Sequence, residues 1–252
     1  MINLLSTKYS TDLSFDFKES EFYANFPIPL ELNQDYNYEV GLPWFTTFNT
    51  IFNITKDNNE FAIRKPNTVG VVNGYGLITI LHGAYELDIL FKLIIELIKK
   101  RYGEENIVTF SLNISTAKIH MFIKKGYSIS FLDNEFNEFL GFTKQIYENN
   151  TTDELFISEK IVDISNITSI SLFCDLVEGT YDNGRRKNCI YIFPYGTVPR
   201  GYRIVQQIST PRYFPLIRKS ISSINFKIVD QNDNLINFNN ENISFCLHLQ
   251  QV

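Results

Sequence analysis

Three histidines, three cysteines and 28 Asp and Glu are the side chains of this 252-residue sequence that could hold a metal, attack a carbonyl or move a proton. A zinc site needs ligands at short, fixed spacings such as HxH, HxxxH or HExxH, and His82, His120 and His248 stand far apart. His120 and His248 fall in alternating stretches, as strand residues at the surface or with a local partner, and His82 precedes Gly83 in a turn. Cys174, Cys189 and Cys246 form no CxxC pair and lie in apolar, strand-like settings, where a free thiol acts as a small hydrophobe. Their odd number argues against a disulfide framework and fits a reducing compartment. No GxSxG elbow, Walker loop or GxGxxG after a strand occurs, and the glycines of VGVVNGYG (69–76) are spaced for turns. Acid pairs such as Glu104-Glu105 sit in loop contexts, and no spacing marks a glycosidase pair. The expectation is a protein with no catalytic residue, no cofactor and no metal.

The elements that would position such residues read as strands. Apolar residues make up 44% of the chain and aromatics 15%, a load that suits half-buried sheets. The length is enough to bury a core without disulfides or metals. A net charge of −5 argues against a general nucleic-acid binder. The densest basic run, Arg185-Arg186-Lys187, reads as a solvated loop, with a local polyanion contact as the lesser alternative. The start, MINLLSTKYSTDLSF, has neither a basic n-region nor a long apolar h-region, so no signal peptide is expected. The apolar run Ile89–Ile98 is broken by Lys92 and Glu96 and is too short to span a bilayer. The sequons at Asn53 and Asn166 carry no meaning without secretion.

Alternating runs occur in 13–32, where Pro27 and Pro29 limit the second to an edge or strand end, and in 36–54, 61–65 and 69–81, with Asn73-Gly74 suited to a tight turn. One amphipathic helix stands out over 84–103, with acids early, bases late and Gly103 as a stop. Strands resume over 107–114, 117–123 and 127–132. DNEFNEFLGF (133–142) reads as a short helical turn capped by Asp133 or Asn134 and ending at Gly141. Residues 143–166 give no clear pattern, and further strands follow at 167–176, 188–195 and 202–209. The chain ends on SSINFKIVDQNDNLINFNNENISFCLHL (222–249), which reads as a β-hairpin. With no repeat and no dividing linker, the whole is one domain, residues 1–252. It is an all-β, single jelly-roll sandwich with one helix inserted between strands.

Four stretches together resemble the penton, or minor capsid, proteins of Maverick/Polinton elements, with virophage and adenovirus pentons as more distant relatives. FYANFPIPLELNQDYNYEVGLPWFTTFNTIFNI is similar to a family pattern of "P-I-x-L", "Y/W-E-V-G-L" and a later "N-I", although Trp44 comes ahead of the family's Trp position. ILHGAYELDILFKLIIELI resembles a "G-x-Y" turn leading into a helix, marked by Gly83 and Tyr85. ISFLDNEFNEFLGF resembles an "LGF" signature, here Leu140, Gly141 and Phe142. TPRYFPLIRKSISSINFKIVDQNDNLINFNNENISFCLHL resembles a "P-x-Y-x-P-L" segment, here Pro211, Tyr213 and Pro215, followed by a hairpin and a terminal "L-H".

The resemblance implies a structural virion protein, a homopentamer at icosahedral five-fold vertices ringed by a separate double-jelly-roll major capsid protein. It implies assembly in the host cytoplasm or nucleus, with no membrane and no specific nucleic acid as partners. The motif residues read as structural, and the loops 179–188 and 196–201 as candidates for ring closure. Three other readings stay open. One is a carbohydrate- or receptor-binding jelly roll, kept alive by Tyr181, Tyr195 and Tyr202. The others are a cupin-like metalloenzyme and an integrated copy with a host role.

Overall fold

The computed structural model of the chain describes residues 4–7, 10–64, 75–131, 135–148, 152–165, 167–182, 184–196 and 198–252. The chain opens with β1 (Leu4–Thr7), β2 (Ser10–Phe17), β3 (Glu21–Glu31) and β4 (Tyr38–Phe48). Next come β5 (Glu60–Arg64), β6 (Tyr75–Thr79), α1 (Leu87–Tyr102), β7 (Val108–Asn113), β8 (Lys118–Ile123) and β9 (Ser128–Ser130). They are followed by α2 (Phe136–Leu140), β10 (Ile146–Glu148) and β11 (Glu154–Ile157). The last part carries β12 (Ser169–Cys174), β13 (Thr180–Asp182), β14 (Arg185–Lys187), β15 (Cys189–Pro194), β16 (Arg203–Gln207), β17 (Tyr213–Pro215), β18 (Ser220–Val229) and β19 (Ile243–Gln251).

These elements form two compact units, residues 1–51 with 167–252 and residues 52–166, where the sequence suggests one domain over 1–252. Each has its own buried cluster. The boundary escapes a linker search because the chain leaves the first unit at Ile51 and returns at Ile167 through short, ordinary segments.

The first unit is a jelly-roll sandwich. One sheet runs β1-β2-β19-β4-β16, with β17 also on β4, and the other runs β15-β12-β18-β3. From β2 to β3 to β4, from β15 to β16, and from β17 to β18 to β19 the chain crosses between the sheets, so these neighbours in sequence lie on opposite sides of the core. This corrects the terminal hairpin. β18 pairs with β12 and β3, while β19 pairs with β2 and β4 in the opposite sheet. The alternation of apolar residues is real, but it aims two strands at one core from opposite sides. Phe226 and Phe245 meet edge to face there at 4.8 Å, and Phe22 stacks on Phe226 at 4.8 Å. The polar stretch between them is the corner, where the Asp230 carboxylate accepts from the Asn232 and Asn234 amides. Pro27 and Pro29 lie where the β3–β18 ladder breaks register between Asn25 and Leu30, on an edge strand, as residues lacking an N–H require.

The second unit is built from local pairs: β5 with β6, β7 with β8 and β9 with β10, with β11 added to β8 and β9 to β5. Helix α1 buries Leu90, Phe91, Ile94 and Ile98 and stops at Gly103 in the left-handed conformation. Residues 143–166, unreadable in sequence, hold two short strands and a turn in which Ser158 exchanges hydrogen bonds with the Ile119 backbone at 2.8 and 3.0 Å. The turn at Asn73-Gly74 and the caps Asp133 and Asn134 lie outside the described residues. Among the described residues no helix is long and apolar enough to cross a membrane.

Candidate functional site

The residues with reactive side chains are dispersed or locked in their acid forms. Cys174 and Cys246 are buried; burial pushes both thiols up, Cys246 to about 11, with the Asp12 charge adding to it. A thiol held protonated is neither nucleophile nor metal ligand. Cys246, His248 and Asp12 do share the outer face of the sandwich, because His248 stands opposite Asp12 and two residues beyond Cys246. The Cys246 thiol, however, donates to the Leu247 carbonyl at 3.6 Å, and His248 Nδ1 lies 2.9 Å from Tyr213 Oη. Asn113 Nδ2 reaches His120 Nε2 at 3.5 Å, and His82 is exposed. Among the described residues no group of three or more His, Cys, Asp or Glu is placed to hold a metal ion.

The motif residues gather instead at three places where backbone segments are stapled together. The first is in the sandwich. Tyr213 on β17 and His248 on β19 both lie beside Gly41 on β4. A Cβ at Gly41 would come within 3.0 Å of the Tyr213 ring, so the absence of a side chain lets the phenol cross the strand and reach His248. Burial first, then the charges of Asp12 and Glu39, raise the Tyr213 pKa, which keeps its proton available for that bond. Leu216 N donates to Tyr38 O at 2.9 Å and Pro215 pairs with Glu39, while Pro211 marks the approach of this segment to β4. Three motifs from the first and fourth stretches, "E-V-G-L", "P-x-Y-x-P-L" and "L-H", thus meet at one spot.

The second place is in the other unit. Gly83 exchanges backbone hydrogen bonds with Ile54 at 3.0 Å in both directions. The buried Asn53 amide donates to Tyr85 O at 2.9 Å and Ile164 O at 3.2 Å, and its oxygen accepts from Tyr85 N at 2.9 Å. The Tyr85 ring folds back so closely that a Cβ at Gly83 would come to 2.7 Å from it. Asn53 therefore ties the first residues of this unit to its last ones. In the sequence it shows only as a sequon and as the "N-I" of the resemblance; its burial at 1% exposure with three partners is the signal that matters.

The third is the LGF turn. Gly141 caps α2 at φ 80°, and a Cβ there would lie 2.4 Å from Lys160 O, a backbone atom that cannot yield. Leu140 and Phe142 fill the core on either side, Phe142 stacking on Phe131 at 5.7 Å. The Asn137 amide closes the turn on Phe142 O at 3.0 Å.

The basic run forms a small hairpin, β13 with β14, rather than an open loop. Arg186 pairs with Glu178 at 3.2 Å and Lys187 with Asp233 at 2.8 Å. Beside Asp233 a depression of about 240 Å³ is lined by Ser169, Ser171, Cys189 and Ile192. A wider, open groove of about 750 Å³ runs between residues 18–23 and 235–240. Neither combines an apolar enclosure with converging titratable groups.

No family model matches the chain, and no curated protein does. Among solved structures, the chain is similar to the crystal structure of the mavirus penton protein. The TM-score is 0.52 at 14% sequence identity, over 97% of this chain and 100% of that one. At this identity the likeness is one of fold, and it spans both compact units.

Proposed function

We propose that the chain is a structural capsid protein of penton type, a homopentamer at the five-fold vertices of an icosahedral virion beside a double-jelly-roll major capsid protein. The observation that carries this reading is the end-to-end likeness to the mavirus penton protein. A jelly roll alone hosts many functions. A jelly roll with a further unit between β4 and β12, matched over its whole length, supports one use of the fold above the rest. The site chemistry agrees: staples at Gly41, Gly83 and Gly141, where an aromatic ring or a backbone carbonyl occupies the place of a side chain, fix shape, and shape is what a shell subunit supplies. The virion is the proposed location, with assembly in the host cytoplasm or nucleus.

The test is the mass of the purified chain by size-exclusion chromatography with light scattering at low and high salt. The pentamer predicts a discrete species of five times 29.3 kDa. A stable dimer or trimer counts against it. The second reading, a glycan- or receptor-binding module, draws on exposed Tyr181 and Tyr202. A monomer that binds immobilised glycans, and loses binding on Tyr202→Ala, would replace the capsid reading.

A further inference from the structure

The charge of the sandwich is sorted by position in the chain, and the topology turns that sorting into two opposed edges. Between Asn183 and Val229 the sequence carries nine Lys and Arg and no Asp or Glu; between Ser10 and Glu39 it carries seven Asp and Glu and the single base Lys18. In one sheet β1 and β2 stand at one end of the strand order and β16, with β17, at the other. In the second sheet β3 and β15 are the ends. Stacking of Phe17 on Phe22 at 3.5 Å sets β2 over β3, and the contact of Phe45 with Phe193 at 5.4 Å sets β4 near β15. β1 is outermost in the first sheet but pairs only with residues 10–13 of β2. One lateral edge is therefore made by the rest of β2, its turn to β3 and β3 itself, which carry most of the acids, Glu39 on β4 beside β17 excepted. Much of the basic segment lies at the other edge.

Part of this charge is spent internally. Lys227 pairs with Glu21 and Arg218 with Asp175, both at 2.8 Å, and Arg186 and Lys187 of β14 pair with Glu178 and Asp233. What is left is ordered. Arg203, its guanidinium 4.8 Å over the Phe48 ring, and Arg212 are exposed along the β16–β17 edge with no acidic partner among the described residues. Glu19 and Glu31 are exposed on the β2–β3 edge, and among the described residues Glu31 accepts from the Ser220 hydroxyl, at 2.6 Å. Each edge also presents large apolar side chains to solvent: Tyr23 and Ile28 on the acidic side, Tyr202 and Val205 on the basic side. Three strand spacings, roughly 15 Å, separate the edges, which is beyond the ~8 Å screening length at physiological salt. The two edges of one copy hardly feel each other, while two copies side by side bring them into contact.

We propose that copies of this chain associate head to tail, the acidic β2–β3 edge of one sandwich against the basic β16–β17 edge of the next. This deepens, and rests on, the capsid reading above. Like edges repel, so a two-fold, isologous pairing is disfavoured, and a heterologous contact closes into a ring when its rotation allows. Pro27 and Pro29 remove two amide donors from β3, so the contact is made by side chains and not by strand addition.

The experiment is sedimentation velocity on the full chain at 50 and 500 mM NaCl, with Glu19→Lys/Glu31→Lys, Arg203→Glu/Arg212→Glu and the variant carrying all four changes. Each pair of reversals weakens self-association about tenfold or more, as does the higher salt, and the four changes together restore it because the polarity is inverted as a whole. Thermal melts confirm that these exposed changes leave the fold intact. Arg212→Glu alone, at an exposed residue, gives a smaller loss in the same direction. Association that ignores both salt and reversals overturns the edge assignment, and a mass of five subunits would then leave the capsid reading standing. A wild-type chain that stays monomeric at low salt overturns the edge assignment. A wild-type two-fold dimer overturns both.

Discussion

The sandwich and the 52–166 unit reach closed cores by opposite routes. In the sandwich, β19 is zipped between β2 and β4, so Ile243 near the end of the chain faces Phe17 near its start. In the other unit most ladders join near neighbours, as when Val108 meets Ile123 across the β7–β8 turn, with β5 on β9 the long-range exception, and α1 adds a locally encoded helix. Non-local pairing pays loop-closure entropy before any contact rewards it, so the sandwich is expected to be the slower part to form. The separate clusters also predict separable stability. Phe226 is fully buried among Phe15, Phe22 and Phe245, and its replacement by Ala should cost about 3–5 kcal/mol. Hydrogen exchange under mild urea should then show protection lost in 1–51 and 167–252 and retained in 52–166. Equal loss in both would mean that the two cores unfold as one.

A smaller effect separates conformation from space within the second unit. Gly103 and Gly141 share a left-handed backbone, at φ 73° and 80°. Nothing lies within 4 Å of a Cβ built at Gly103, so Gly103→Ala should cost about 1 kcal/mol, the conformational term alone. At Gly141 the Lys160 carbonyl blocks the Cβ, and Gly141→Ala should cost about 3 kcal/mol in the same urea titration. Comparable losses would show that the turn can open around the new methyl group.

These same places show what the sequence could and could not disclose. Helix α1 is legible because its signal is local: apolar spacing, charge order and a glycine stop all fall within one stretch. Strand positions in the sandwich are legible too, since alternation marks which residues turn inward. Partners are not. Ile224, Phe226 and Ile228 alternate in the same way whether β18 lies beside β19 or faces it across the core, and a polar corner looks like a hairpin turn. The division into two units is hidden for a related reason, as neither crossing at 51 and 167 has the composition of a linker. Of the stapled places, Gly41, Gly83 and Gly141 show as motif glycines. Their physical reasons, a phenol crossing a strand, a ring folded back and a carbonyl in the way, exist only in three dimensions.

Asn53 tests whether a single side chain closes the second unit. Asn53→Ala leaves the Tyr85 amide and the Tyr85 and Ile164 carbonyls without their partner in a buried setting, at a cost of about 2 kcal/mol. Exchange at the Tyr85 amide should quicken well before that of α1. If both quicken together, the staple belongs to the unit's global stability and not to the closure of its ends.

The smallest expected effect distinguishes the units by pH. Tyr127 in the second unit is nearly buried, and its hydroxyl donates to Glu104 Oε1 at 3.0 Å. Burial above all, then that carboxylate's hydrogen bond and charge, push the phenol up to about 12, and Tyr102, set edge-on at 6.4 Å, is raised as well. In the unfolded chain a tyrosine ionises near 10. The folded form therefore holds a proton that the unfolded form releases. The contribution is complete below about pH 10 and is lost as the pH rises from about 10 to about 12. With allowance for solvent screening it amounts to on the order of 1 kcal/mol. Stability measured in urea across that window should fall with pH, and the Tyr127→Phe variant should show a flatter slope there. Because Phe cannot donate to Glu104, the variant also starts about 1 kcal/mol lower at neutral pH. A slope unchanged by Tyr127→Phe would assign the alkaline loss to other groups, Tyr213 of the sandwich among them, since its pKa is raised by burial too. The exchange pattern then decides the matter, because an alkaline transition that begins at Tyr213 exposes amides of β4 and β19 before those of α1.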